Sequence, residues 1–93
     1  MIIYAADAER DVERLHQRFV SFSTVAANAF MARLAKAEVR IEARPRTYRL
    51  LNDRETRRYS FRINRISYLV DYRIEPDQIV ILRVWHGRQN RPA

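Results

Sequence analysis

Residues 78–91 read QIVILRVWHGRQNR, and the part from Ile79 to Trp85 is β-branched, aliphatic or aromatic except for Arg83. Such a run is typical of a β-strand, in which successive side chains point to opposite faces of a sheet. Strict alternation predicts two sets of side chains, Ile79, Ile81 and Trp85 on one face and Val80, Leu82 and Val84 on the other. A strand that is apolar on both faces belongs inside a sheet, so we predict that it is the central strand.

The residues that follow this strand have a different character. His86 is one of only two histidines in the chain, Gly87 is the only glycine, and Arg88 and Arg91 come next. A single glycine at such a place predicts either a turn that no other residue can make or a close approach of a partner to the backbone. We therefore predict that the functional surface lies at this end of the strand.

Two helices are predicted upstream, after a short apolar strand at residues 1–5. Asp7 offers an N-cap or a first-turn acid for the first helix. Apolar residues recur at spacings of three and four in both helices, which predicts one buried stripe on each. The first stripe is Ala8, Val12, Leu15, Phe19 and Phe22, and the second is Ala26, Phe30, Leu34, Ala37 and Ile41. The short serine-containing loop between them predicts an antiparallel hairpin, and Pro45 ends the second helix.

Two more strands are predicted at residues 57–63 and 66–74, joined by a tight turn at Asn64-Arg65. The first alternates between an apolar and a wet, cationic face, with Tyr59, Phe61 and Ile63 against Arg58, Ser60 and Arg62. The predicted fold is therefore α+β, in a single domain over residues 1–93. Its order is a strand, a helical hairpin and a three-stranded antiparallel meander, with the helices packed on one small sheet.

Charge is distributed unevenly along the chain. Residues 1–43 hold six basic and six acidic side chains, whereas residues 44–93 hold twelve basic and five acidic, so the second half carries the whole net charge of +7. All the basic residues except Lys36 are arginines, whose planar guanidinium binds phosphate and carboxylate bidentately. We expect a polyanionic partner, either nucleic acid or an acidic protein segment, with a merely solvated basic surface as the alternative.

Some classes of protein are disfavoured by what the sequence lacks. Without cysteine there is no disulfide framework and no thiolate zinc site, and we expect neither a metal nor a cofactor. No apolar run approaches membrane-spanning length, and the N-terminus lacks a basic region followed by a long apolar one. These features predict a cytoplasmic protein that is not inserted in a membrane.

Residues 71–74 (DYRI), a short acidic turn and residues 79–88 (IVILRVWHGR) together resemble the C-terminal signature of the ParE/RelE superfamily. That superfamily supplies the toxins of bacterial type II toxin–antitoxin systems, including many plasmid stabilisation proteins. The second predicted helix with the proline after it, and an arginine at 57 or 58, are also similar to the family pattern. The resemblance covers nearly the whole chain, is closer to ParE than to RelE, and implies a helical hairpin against a small, mainly antiparallel sheet.

The resemblance implies a growth-inhibitory toxin with one of two targets. ParE-like members poison DNA gyrase, whereas RelE-like members cut mRNA in the ribosomal A site. The resemblance also implies a hetero-oligomer with a cognate antitoxin that is acidic and binds DNA. Ribonuclease members use lysines, arginines, a glutamate or histidine, and often a tyrosine in the C-terminal tail. This chain has no tyrosine after Tyr72 and no lysine outside the second helix, which favours gyrase.

Candidate site residues follow from the same resemblance. If the protein is a nuclease, His86 is its acid or base and Arg88 stabilises the scissile phosphate. The binding candidates are Arg58, Arg62, Arg65, Arg83, Trp85 and Arg91.

Alternatives stay open for several of these residues. His86 alternatively bonds the backbone and fixes the turn, and Trp85 belongs either to the core or to a partner-binding face. Arg83 alternatively pairs with Asp71 or Glu75, since an unpaired buried charge is costly. A non-toxic nucleic-acid-binding module is a third class of function. It expects stacking aromatics on an open sheet, for which Tyr59 and Phe61 are available but lie opposite the basic residues of their strand.

Overall fold

The computed structural model describes all 93 residues and contains two helices and five strands. In chain order they are β1 (Ile2–Tyr4), α1 (Ala6–Val20), α2 (Thr24–Ala43), β2 (Arg49–Leu50), β3 (Thr56–Ile63), β4 (Ile66–Ile74) and β5 (Ile79–His86). The predicted α+β fold is confirmed, and β2 is the one element that the sequence pattern did not predict. Neither helix combines the length and the hydropathy that a crossing of the bilayer requires.

The helices α1 and α2 form the predicted hairpin. Ala5 occupies the N-cap of α1, and Asp7 lies in the first turn, where its charge complements the helix dipole. Ser23 caps α2, because its side-chain oxygen accepts the N–H of Ala26 at 3.0 Å. Pro45 follows shortly after the last residue of α2, as predicted.

The buried stripes of the helices differ from the predicted ones near the loop between them. Phe22 lies in this loop and is 79% exposed, and α2 buries Ala27 more fully than Ala26. The prediction fails here because the loop interrupts the helical periodicity that was extended through it. Both stripes pack on one face of the sheet, and the shared core consists of Ala8, Leu15, Phe30, Leu34, Ala37, Ile41, Tyr59, Phe61, Tyr68, Val70, Tyr72, Ile79, Ile81 and Val84.

The five strands form one sheet in the order β1-β5-β4-β3-β2. Strand β1 runs parallel to β5, whereas β3, β4 and β5 form the predicted antiparallel meander. Strand β5 is interior, between β1 and β4, but the middle strand of the sheet is β4. The prediction of β5 as the central strand is wrong by one place, because Arg49 and Leu50, in the segment between α2 and β3, add an antiparallel strand beyond β3.

A β-bulge changes the face on which the end of β5 presents its side chains. The register between β4 and β5 slips by one at Leu82, which has no partner in β4. Beyond this residue the alternation is reversed, so Val84 joins Ile81 in the core beneath the helices and Trp85 turns to the opposite face. The predicted grouping of Trp85 with Ile81 is therefore wrong, as is that of Val84 with Leu82.

The predicted turn of the β3–β4 hairpin is confirmed, but one of the three residues predicted to be exposed on β3 is buried. Asn64 and Arg65 adopt left-handed conformations with φ of 48° and 70°, as a two-residue hairpin turn requires. Ser60 and Arg62 are exposed as predicted, whereas Arg58, expected on the same wet face, is buried. The exposed cationic part of β3 therefore lies only toward the tip of the hairpin.

Candidate functional site

A buried hydrogen-bond network surrounds Asp71 on the face of the sheet opposite the helices. Arg58 donates from Nε to Oδ1 at 2.6 Å and from Nη2 to Oδ2 at 2.8 Å. Trp85 donates from Nε1 to Oδ2 at 2.8 Å, and Nη2 of Arg58 also reaches the carbonyl oxygen of Pro92 at 2.9 Å. Two of the predicted binding residues, Arg58 and Trp85, are therefore held in a network that joins β3, β4, β5 and the C-terminal tail.

Arg83 pairs with a helix and not with the neighbouring strand. Its Nε and Nη2 donate to Asp11 of α1 at 2.7 and 3.0 Å, and its guanidinium carbon lies 4.1 Å from the centre of the Trp85 ring. The predicted pairing with Asp71 or Glu75 is wrong, because the carboxylate of Asp71 is engaged by other donors. A structural ion pair is nevertheless the role that the structure gives Arg83.

Asp11 is a residue that the sequence prediction missed. Its carboxylate also accepts the N–H of Val84 at 2.9 Å. Because β1 pairs with β5 only as far as Ile81, the backbone N–H of Val84 has no strand partner on that side, and the carboxylate of Asp11 accepts its hydrogen bond instead. Burial raises the pKa of Asp11, but the hydrogen bonds from Arg83 and Val84 outweigh burial and hold that pKa below its ordinary value. The only feature of the sequence that could have indicated this role of Asp11 is the position of an acidic residue next to the apolar stripe of the first helix.

A groove of about 670 Å³ lies where the corner of the helical hairpin meets the tip of the β3–β4 hairpin and the end of β5. Phe19, Phe22 and Tyr68 contribute apolar walls, and Arg18 and Arg88 supply positive charge. His86 also lines this groove, so the structure brings together both residues that were predicted to be catalytic if the protein is a nuclease. The contributions of the helical corner, Arg18 and Phe22, were not predicted.

His86 is mostly buried and engaged with the turn that follows it. Its Nδ1 accepts the backbone N–H of Arg88 at 3.1 Å, and its own backbone N–H donates to the side chain of Gln89 at 2.7 Å. Burial, together with the charges of Arg18 and Arg88, lowers the pKa of His86, so its ring is neutral at pH 7. The bond between Nδ1 and the N–H of Arg88 is the kind of backbone contact that was predicted for His86 as the alternative to a catalytic role.

Gly87 is required by a close approach of the chain to itself. Gly87 lies in the turn that follows β5, and its φ is not positive, so close packing and not an unusual backbone conformation excludes a side chain here. Its N–H donates to the carbonyl oxygen of Ser67 at 2.6 Å, and a Cβ at this position would lie 2.5 Å from the same oxygen. The backbone of β4 therefore occupies the space that a side chain would need.

The remaining predicted binding residues are distributed over two places. Arg62 and Arg65 are exposed near the tip of the β3–β4 hairpin, outside the residues that line the groove. Arg91 donates from Nη1 to the carbonyl oxygens of Gly87 and Gln89, both at 2.9 Å, and so closes the turn after β5. No group of three or more histidine, aspartate or glutamate side chains is arranged to hold a metal ion.

Comparison with protein families gives a match over almost the entire chain. The model of the family described as "ParE toxin of type II toxin-antitoxin system, parDE" matches residues 2–91. The match includes both helices, all five strands and every residue that lines the groove. No curated protein matches the chain at a significant level.

Proposed function

Because the chain belongs to the family of ParE toxins of type II toxin–antitoxin systems, we propose that it inhibits growth by binding and poisoning DNA gyrase. Membership of this family implies an antitoxin as partner. We propose further that the antitoxin is acidic and binds DNA, that it neutralises the toxin in a hetero-oligomer, and that both act in the cytoplasm, where gyrase works.

Two arginines and a tyrosine of the kinds that ribonuclease members use are occupied within the fold, which supports binding over catalysis. Cutting RNA without a metal requires a base, cations around the scissile phosphate, and an acid or strong electrostatic help at the leaving oxygen. Arg58 and Arg83 are engaged in ion pairs. Tyr72, the last tyrosine of the chain, is fully buried, and its hydroxyl donates to the carbonyl oxygen of Pro45. These three residues are thus occupied within the fold.

A ribosome-dependent endoribonuclease is the second candidate, because His86, Arg18 and Arg88 line one groove. The Nδ1 of neutral His86 accepts the N–H of Arg88, so the ring accepts a proton from a 2′-hydroxyl only when that hydrogen bond is released, while the arginines stabilise the phosphate. The third class, a non-toxic module that reads nucleic acid by stacking, has less support. The aromatic rings that it needs, Tyr59 and Phe61, are packed in the core.

The groove supports the proposed antitoxin as its occupant. Phe22 lines it while remaining 79% exposed, and Val25 at the start of α2 is 78% exposed. Apolar surface beside the positive charges of Arg18 and Arg88 fits an amphipathic segment that carries acidic residues.

Producing the protein without its antitoxin and assaying both activities tests the proposed target. We expect the purified protein to block gyrase supercoiling and to leave ribosome-bound mRNA uncut. Codon-positioned cleavage of mRNA with unaffected supercoiling would instead assign the nuclease function.

Two matched variants test the groove as the antitoxin site. The antitoxin is expected from a short neighbouring reading frame that encodes a DNA-binding domain and an acidic, amphipathic tail. Phe22→Ser should weaken its binding by more than about 1 kcal/mol, or roughly fivefold, because an exposed aromatic anchor is lost. Val39→Ser removes another exposed apolar residue, which is 68% exposed on α2 and lies outside the groove, and should leave the affinity unchanged. Equal losses in the two variants would place the antitoxin elsewhere.

A further inference from the structure

A second pocket lies at the end of the sheet opposite to the groove, where β3 begins and β4 ends. It has a volume of about 250 Å³, and Arg46, Arg54, Arg57 and Arg73 line it. Glu55 is the only acid among the lining residues, so the lining carries a net charge of +3. This pocket gathers four of the twelve arginines of the second half of the chain and shares no residue with the groove proposed for the antitoxin.

Two of these arginines are prepared to bind an acceptor. Arg57 is held in place because its Nη1 donates to the carbonyl oxygens of Arg46 and Tyr48 at 3.0 and 2.9 Å. A guanidinium has five N–H donors, so the hydrogens on Nε and Nη2 of Arg57 remain for a ligand. The Nε of Arg73 is buried and has no hydrogen-bond partner within the protein. This donor is therefore free to bind an oxygen of a ligand or of a water molecule.

We propose that this pocket binds phosphate groups in the backbone of double-stranded nucleic acid, without reading the bases. Arginine forks match the geometry of phosphate oxygens and bind them with charge-assisted hydrogen bonds. The pocket is smaller than the roughly 300 Å³ at which sites for drug-sized ligands begin, so it suits a charged group of a larger partner. This inference does not depend on gyrase being the target of the toxin.

The lining also distinguishes between possible polyanions. Proteins that bind single strands stack the bases on aromatic side chains, and this pocket has no aromatic residue. An acidic protein segment gains much of its affinity from apolar anchors, for which only Leu50 and Ile74 are available here. Arg44 and Arg49 are exposed in the segment between α2 and β3, which also contributes Arg46 and Arg54 to the pocket, so further positive charges are available to phosphates beyond the pocket.

The salt dependence of binding measures how many phosphates are contacted. Each neutralised phosphate of a duplex contributes about −0.9 to the slope of log affinity against log salt concentration. Three or four contacts therefore predict a slope of about −3, which corresponds to a loss of affinity of roughly 40- to 150-fold between about 50 and 200 mM salt.

The experiment titrates the full-length protein and two double variants against a fluorescent DNA duplex of mixed sequence. Arg46→Gln with Arg54→Gln removes two exposed arginines from the pocket, and Arg10→Gln with Lys36→Gln removes two exposed charges from the helices. Both double variants change the net charge equally, so only a local contact separates them. We expect the pocket variant to bind more weakly and to lose about two units of salt slope, whereas the helix variant keeps the wild-type slope.

Three results would overturn the proposal. Equal losses in the two double variants would show that the general field of the protein, and not the pocket, attracts the duplex. Displacement of the duplex by poly-glutamate of equal charge and at equal concentration would assign the pocket to an acidic protein segment. Tighter binding of the separated single strand would assign it to unpaired nucleic acid.

Discussion

Arg83 of β5 and Asp11 of α1, 72 positions apart in the sequence, are joined by two hydrogen bonds of 2.7 and 3.0 Å. Because Asp11 also accepts the N–H of Val84, the pair fixes α1 to β5 just beyond the bulge. The carboxylate is buried, whereas the side chain of Arg83 is 35% exposed. The hydrogen bonds from these donors therefore replace the water contacts that the carboxylate of Asp11 loses on folding, whereas Arg83 remains in contact with solvent.

Asp11→Asn should lower the free energy of unfolding by about 2–3 kcal/mol, because it removes charged hydrogen bonds while the amide still offers one acceptor to Val84. Unfolding in urea, followed by circular dichroism, measures this loss. Asp7→Asn is the matched control on the same helix, where an exposed pair with Arg10 contributes less than about 1 kcal/mol. Equal effects of the two substitutions would contradict the role given to Asp11.

Stability should also decrease in acid. The pKa of Asp11 is lower in the folded than in the unfolded chain, where the ordinary value is 3.8. A depressed pKa contributes stability above the unfolded value, and that stability is lost as the pH falls through the folded value. Asp53 acts in the same direction, because hydrogen bonds from Thr56 and from the N–H of Glu55 lower its pKa to about 2. The free energy of unfolding should therefore fall between pH 3.8 and about 2.

The Asp11→Asn variant separates the two carboxylates in this acid titration. Its free energy of unfolding should fall less steeply with falling pH than that of the wild type. The pH dependence that remains in the variant should come from Asp53 and other groups. Curves of equal steepness for the two proteins would show that Asp11 does not titrate as its depressed pKa requires.

The network around Asp71 predicts substitutions whose effects do not add. Arg58→Leu leaves the buried carboxylate with Trp85 as its side-chain donor, and Asp71→Leu leaves a buried guanidinium. Each should lower the free energy of unfolding by about 3–5 kcal/mol. The double variant removes both charges and should lose much less than the sum. Denaturant unfolding of all four proteins measures the coupling, and additive losses would mean that the ion pair is not what these residues contribute.

Gly87→Ala should destabilise the protein by about 1–3 kcal/mol, as overpacking typically does. The added Cβ would meet the backbone oxygen of Ser67, which cannot move without disturbing β4. Thermal unfolding measures the loss. Asn90→Ala, an exposed position in the same tail, provides the control and should change little. A wild-type melting temperature for the glycine variant would show that β4 yields at this point.

Local periodicity was enough to predict the helical hairpin and the meander, because it records which side of each element is buried. It did not reveal the bulge at Leu82, since one inserted residue leaves no mark in an apolar run. The pairing of Arg83 with Asp11 was not predicted either, because it depends on where β1 ends beside β5, and the local sequence pattern does not contain that information. Within the site, His86 and Arg88 are close in sequence, whereas Arg18 reaches the same groove only through tertiary packing.

His86→Asn tests which of the two toxic mechanisms operates. Asparagine places a carbonyl oxygen near the position of Nδ1, so an acceptor for the N–H of Arg88 is kept while the ring that exchanges protons is removed. If the protein poisons gyrase, this variant should block supercoiling as the wild type does. Thermal unfolding of both proteins is the control that separates loss of chemistry from loss of fold.

The opposite result would be equally clear. If the protein is a nuclease, the wild type should cleave ribosome-bound mRNA. The cleavage rate should then fall by a factor of about 10²–10⁴ in His86→Asn, which is the typical effect of losing a general acid or base. Arg88→Gln would then reduce the same rate by removing the charge that stabilises the phosphate, although its backbone N–H still bonds His86. Cleavage that depends on both side chains, in variants that remain folded, would replace gyrase with the ribosome as the target.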